Sequence, residues 1–274
     1  MSAPWKSAAK AVIPLPVRAA ARALFGWRWF EGNFATWAEA RAACGRYDDA
    51  AIVGRVLAAT LAVRDGRAAY ERDGVLFAEP APEAGLLAAL RQVAAAGGGK
   101  LRVLDFGGAL GTTYWRHCAE LANLSELHWD VVEQPAFVAA GRAQLGGTPL
   151  RFFESVDAAS AAGPHDVLLA STSLQYLEDP PAVLAAWVAR GFPWLLFNNL
   201  PLHAGAPDRL AVQRVPPEIY PASYPVWFFN RERFLARFNG RYEIAAEFPS
   251  EAVWPVSWRR YASTGLLLRR REAR

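Results

Sequence analysis

Cysteine, methionine and histidine are all scarce: the 274 residues include two, one and four of them. Cys44 and Cys118 lie far apart with no further ligand at metal spacing, which excludes a disulfide framework and a thiolate metal site and fits a reducing compartment. No stretch reaches the roughly 18 uninterrupted apolar residues of a spanning helix, and the N-terminus lacks the charge, apolar run and cleavage site of a secretion signal. A cytoplasmic location is therefore expected. Excess charge of one sign is also missing, the formal net charge being only +4. The cations are scattered except at Arg259-Arg260 and Arg269-Arg270-Arg271, so the basic stripe of a nucleic-acid enzyme is absent and no nucleic-acid partner is expected. The terminal arginines read as a solvated tail.

What the chain does have is apolar substance. Hydrophobic residues make up 53% and charged residues 20%, enough for one large α/β domain with embellishments. Residues 1–35 mix Lys6, Lys10, Arg18, Arg22 and Arg28 with Trp5, Trp27, Trp29 and Phe30. Pro14 and Pro16 confine any helix there to 17–25, read as packing on the main domain, with peripheral contact at the inner face of a membrane as the alternative. Residues 36–99 read as a helical cap. Thr36 is a candidate N-cap, Ile52, Val53, Val56, Leu57 and Leu61 recur at helical spacing, a turn is expected at 45–48, and a further helix over 83–95 stops at Gly97-Gly98-Gly99.

From residue 100 onward the rhythm changes. Strands are expected at 102–106, 128–132, 150–153, 166–171 and 194–198, with helices at 112–121, 137–145, 156–161 and 181–190. This alternation implies a doubly wound, Rossmann-like parallel sheet whose ligand lies over the carboxyl ends of the strands. The first strand runs through Asp105 into Phe106-Gly107-Gly108-Ala109-Leu110-Gly111. Glycines let the backbone approach a ligand, and the helix that follows exposes free N–H donors. The dinucleotide fingerprint G-x-G-x-x-G fails, because its first position is Phe106. Asp105 suits a ligand amine better than a pyrophosphate, which favours S-adenosylmethionine (SAM), a cationic sulfonium bearing an amine. Glu133 ends the second strand, where a carboxylate can accept ribose hydroxyls, with Gln134 beside it. Glu154 and Ser155 follow the third strand, at the position expected to touch adenine. Ser171 closes the cofactor side after the fourth strand, while Ser173, Gln175 and Tyr176 are candidates for the acceptor side. Caps for the next helix are the plainer reading of the serines.

Transfer to a hydroxyl benefits from a base nearby. His203, after the fifth strand, titrates near neutrality and is the first candidate; Glu71 and Asp73 are secondary ones, beside Arg72, with an internal salt bridge as the plainer explanation of that cluster. The insert 200–229 is rich in Pro, Tyr and Trp, a stiff aromatic lid suited to a sugar or small aromatic acceptor. Gln213 and Tyr220 are candidate substrate contacts there, and Tyr224 a catalytic one; a β-extension packed on the sheet is the alternative.

The strand, D-x-G-G-x-x-G, strand-ending Glu and the later Leu174-Gln175-Tyr176-Leu177-x-Asp179-Pro180 together resemble class I SAM-dependent methyltransferases. More narrowly, residues 103–111, Val131-Val132-Glu133-Gln134-Pro135, Gln213-x-x-Pro216-Pro217-x-x-Tyr220 and Ala222-Ser223-Tyr224-Pro225 resemble a family of bacterial methyltransferases that accompany genes for cell-surface polysaccharides. Trp37, Tyr47-Asp48 and Tyr70-Glu71-Arg72-Asp73 extend the resemblance over about 36–247. The pattern departs at Asn198-Asn199-Leu200-Pro201, where a more polar, Arg-containing strand end is expected. The resemblance implies SAM as cofactor, S-adenosylhomocysteine (SAH) as product and O-methylation of a sugar or glycan intermediate. Methylation of a small natural product or amino-acid-derived acceptor, and a SAM-binding scaffold without turnover in a glycan-assembly complex, are the competing readings.

Overall fold

The computed structural model describes residues 29–45, 49–146, 149–205, 207–215, 222–256 and 259–272. The basic aromatic stretch 1–28, Tyr47-Asp48, Pro216-Pro217 and the candidate contact Tyr220 lie outside them, as do the side chains of 252–256 and 259–261.

The described residues begin with β1 (Phe30–Phe34), α1 (Trp37–Ala42) and α2 (Asp49–Arg64), followed by the small hairpin β2 (Tyr70–Arg72) and β3 (Val75–Phe77), then α3 (Ala84–Ala96). Thr36 caps α1 by accepting the Glu39 N–H, which satisfies one of the free donors of a helix start. The segment read as a polar patch before Val75 is the hairpin: Asp73 (φ 54°) and Gly74 (φ 71°) supply the two positive-φ positions that a tight type I′ turn requires.

Next come β4 (Lys100–Phe106), α4 (Thr112–Leu121), β5 (Glu126–Val132), α5 (Pro135–Gln144), β6 (Leu150–Phe153), α6 (Val156–Ala162), β7 (Val167–Ser171), α7 (Pro180–Arg190) and β8 (Trp194–Leu200). These five strands lie parallel in the order β6-β5-β4-β7-β8, as the alternation implied. Period-two side-chain alternation buries both faces. Val103, Leu169 and Leu196 join one core with Leu86, Leu90 and Val93 of α3, whereas their neighbours Leu104, Leu168 and Leu195 join the other with Leu184 and Trp187 of α7.

Beyond β8 stand β9 (Leu202–His203), β10 (Arg209–Arg214), β11 (Ser223–Asn230), α8 (Arg231–Ala236), β12 (Tyr242–Val256) and β13 (Arg259–Arg270). The hairpin β12–β13 continues the sheet antiparallel to β8. Arg269 and Arg270 are exposed, as expected, but they end β13 rather than a loose tail, with the Arg269 guanidinium 5.8 Å over Trp194 and Arg270 donating to the Gly191 carbonyl. The insert read as a lid is a β-extension in which β10 pairs with β1 and β11, and β11 with β9. Among the described residues a single pair, Phe30 with Val256, joins this wing to β12. Among the described residues no helix is long and apolar enough to cross a membrane.

Candidate functional site

A cleft of about 1110 Å³ opens over the carboxyl ends of β4, β5 and β7, roofed by α1, α2, the β2–β3 hairpin and the wing. That volume is near the upper end for small-molecule sites, which run to roughly 1,000 Å³, so a cofactor and an acceptor can share it.

The loop after β4 forms its floor. Gly107 has φ +71°, and a Cβ there would lie 2.5 Å from the Ser173 Cβ; one on Gly108 would lie 2.5 Å from the Asp105 carboxyl. Gly111, at φ +85°, starts α4. Besides Asp73 of the hairpin turn, three residues on the cleft wall hold positive φ without being glycine: Ala109 (51°), Thr172 (58°) and Asn199 (55°). Such conformations cost about 1–3 kcal/mol each and concentrate at binding sites.

Asp105 itself is not on the wall. It is 1% exposed, beneath Gly108, with Oδ2 accepting the Trp129 indole N–H at 2.9 Å and Oδ1 without a partner among the described residues. Burial, against the Trp129 bond, pushes its carboxyl up to about 7. The expected direct contact with a ligand amine is therefore corrected to a support role under the loop. Glu133 does reach the cleft. Its oxygens accept the Ala109 N–H (3.3 Å) and the Gln134 N–H (2.7 Å), tying the loop to the end of β5, and burial raises its carboxyl. Gln134 and Glu154 line the cleft, but Ser155 does not: its hydroxyl caps α6 by accepting the Ala158 N–H, the plainer of the two sequence readings.

Ser171, Ser173 and Tyr176 line the other end. The Ser173 hydroxyl is buried without a hydrogen-bond partner among the described residues. Gln175 is fully buried and absent from the wall, contrary to its expected acceptor role, because the turn Leu174–Tyr176 points it inward. Tyr176 donates to Gln213 Oε1 at 2.8 Å and meets Tyr224 edge-on at 5.1 Å, so β10 and β11 bring Gln213 and Tyr224 onto this wall. His203 does not overlook the cleft. It lies in β9 at the sheet edge, its Nε2 3.3 Å from the Phe228 carbonyl, and the base role read for it is corrected accordingly.

Glu71 and Asp73 both border the cleft. Glu71 is 1% exposed, and its carboxylate accepts the Thr112 hydroxyl and, at 3.0 Å, the Gly74 N–H, which pins the hairpin to the start of α4. Burial raises it above the usual carboxylate range. Asp73 is exposed at the cleft wall, beside Arg72.

Sequence reasoning missed a partly buried network that borders this wall. Arg116, on α4, donates to Glu83 Oε1 (2.5 Å), to both Glu251 oxygens (2.9 Å) and to the Ala81 carbonyl, and stacks 4.5 Å over the Tyr70 ring. Glu83 in turn accepts Asn198 Nδ2 at 2.7 Å, and Asn198 also reaches the Ser171 and Ser250 hydroxyls. Among the described residues no three His, Cys, Asp or Glu side chains gather as metal ligands would.

No protein-family model matches the chain, and no curated protein matches it. Solved structures do align with it. Magnesium protoporphyrin IX methyltransferase from Synechocystis PCC 6803 with bound SAM is 15% identical, over 83% of this chain and 99% of that one, with a TM-score of 0.45. A Burkholderia thailandensis 1,6-didemethyltoxoflavin-N1-methyltransferase with its substrate and SAH bound is 18% identical, over 88% and 93%, at 0.42. The N-terminal domain of EvdMO1, in the presence of SAH and D-fucose, is 16% identical, over 74% and 90%, at 0.44.

Proposed function

We propose that the chain is a SAM-dependent methyltransferase acting on a hydroxyl of a sugar or glycan intermediate. The observation that carries this reading is the chemistry of the cleft wall. Five carboxylates line it, Glu71, Asp73, Glu83, Glu133 and Glu154, against three guanidiniums, Arg41, Arg72 and Arg116, the last of which is saturated by Glu83 and Glu251. A surplus of negative charge over a glycine loop suits a cationic nucleoside better than a phosphorylated one.

The residues fit SAM in detail. The loop 107–111 gives the close backbone approach, and Glu133 has lone pairs left for ribose hydroxyls after its two backbone bonds. Gln134 and Glu154 flank the nucleoside. When bound, SAM supplies an electrophilic methyl group on a sulfonium, and the displacement that follows is a matter of alignment.

This chain's own residues then handle the acceptor. Tyr176, Tyr224 and Pro225 give flat walls, and the Tyr176 hydroxyl, by donating to Gln213 Oε1, leaves the Gln213 amide nitrogen as a neutral donor. Neutral donors beside aromatic faces suit a ring bearing hydroxyl groups. Ser173 adds a buried hydroxyl at the junction with the loop. Incubating the purified chain with methyl-labelled SAM and a panel of sugar nucleotides and lipid-linked glycans tests the reading. Label in carbohydrate is expected; absence of saturable affinity for SAM and SAH sinks it.

A further inference from the structure

With Asp105 buried under the loop, the amine of the cofactor needs another partner. Of the five carboxylates on the cleft wall, three are already engaged. Glu71 accepts Thr112 and Gly74, Glu83 accepts Arg116 and Asn198, and Glu133 accepts Ala109 and Gln134. Asp73 and Glu154 accept no hydrogen bond among the described residues. Glu154 follows β6, at the nucleoside end of the sheet, whereas Asp73 is two residues from Glu71, whose carboxylate touches the first residue of α4. Two residues of strand span roughly 7 Å, which keeps Asp73 beside the loop and helix start.

The guanidiniums sort in the same way. Arg116 is consumed by Glu83 and Glu251, and Arg41 belongs to α1, away from the hairpin. Arg72 is half exposed, and its closest carboxylate, Glu251, stands at 3.8 Å and is already held by Arg116. Arg72 and Asp73 are thus adjacent, opposite in charge, on the cleft wall and uncommitted to strong partners. An amino acid presents its ammonium and carboxylate from one carbon, so the group that reads both must offer two opposite charges side by side.

We propose that the tip of the β2–β3 hairpin holds the amino-acid end of the cofactor, Asp73 receiving the ammonium and Arg72 the carboxylate. This rests on the SAM reading of the cleft. Glu71 acts as the positioning residue, anchoring the hairpin to α4 so that its tip meets the loop.

Calorimetric titration of the full chain with two probes tests it: SAH, which carries the amino-acid end, and 5′-methylthioadenosine, which keeps the nucleoside and thioether but lacks that end. Asp73→Asn and Arg72→Gln should each weaken SAH by about tenfold or more, the loss of one charge-assisted contact, and leave methylthioadenosine within about twofold. Asp73→Gly, which keeps the positive φ of the turn, should behave like Asp73→Asn. Variants that bind SAH like the wild type, or that lose both probes in equal proportion, overturn the proposal while the SAM reading stands. A wild-type chain that binds neither probe overturns both.

Discussion

Replacing Asp105 with asparagine should change how stability depends on pH. The carboxyl is buried, with one oxygen bonded to Trp129 and the other to no described residue, and burial moves its proton affinity from the ordinary 3.8 to about 7. The unfolded chain releases this proton near pH 4, the folded chain only near pH 7, so the folded state binds more protons in between. The stability this confers is complete below pH 4 and is lost as pH rises through 7, a swing of about 4 kcal/mol. Asparagine keeps the shape and the Trp129 acceptor but stays neutral throughout. Urea denaturation followed by tryptophan fluorescence, without ligand, at pH 5, 6, 7 and 8 measures the difference between the two proteins. Asp105→Asn should gain on the wild type by up to about 1.4 kcal/mol per pH unit between 5 and 7 and then level off. The contributions of Glu71 and Glu133 largely cancel in that difference. Parallel stability curves over the whole range would refute the reasoning, because they would mean that Asp105 titrates alike in both states.

Other consequences can be checked separately. Arg116→Met leaves Glu83 buried without its guanidinium and should cost about 3–5 kcal/mol in denaturant melts, with Glu83→Gln in the same chain restoring part of it. Gly108→Ala places a methyl group 2.5 Å from the Asp105 carboxyl; SAH affinity should fall more than tenfold while circular dichroism remains that of the wild type. Asp130 is 1% exposed, and bonds from His165 and Arg151 outweigh the burial that would raise it, so its carboxyl lies below the ordinary range. Its stabilisation is present above the unfolded value and lost as pH falls through the folded one; Asp130→Asn should therefore flatten the acid limb of the stability curve. His203→Ala should leave SAH binding unchanged in calorimetry, since the residue lies in the edge strand and not on the cleft wall.

The parallel half of the fold was legible because each strand is a short apolar run followed by a helix of recognisable length, and a strand buried on both faces leaves little else to read. Strands 150–153 and helix 112–121 carry the expected bounds. The hairpin at Tyr70–Phe77 was legible in principle from Asp73-Gly74, yet two three-residue strands show too few alternations to stand out from a polar patch. The long β12–β13 pair was missed for a different reason: Pro249, Pro255 and Gly265 interrupt its pattern, and the register shifts between Pro249 and Val253. In the site, residues that follow strands were placed well, because topology alone brings Gly107, Glu133, Glu154 and Ser171 to one rim. Burial was not legible, so Asp105 and Gln175 were read as wall residues when both face inward. Neither was the network of Glu83, Arg116, Asn198 and Glu251, whose hydrogen-bonded pairs lie 33 to 135 residues apart.

Among the described residues, the rung between Phe30 and Val256 is the one strand pairing that ties the antiparallel wing to β12. The wing therefore meets the glycine loop chiefly through one short turn: Gln213 and Tyr224 touch Tyr176, and Ser173 of the same stretch lies against Gly107. On the proposed reading, exchanges on β10 and β11 that keep the Tyr176 contacts would rewrite the acceptor flank while leaving the cofactor flank in place.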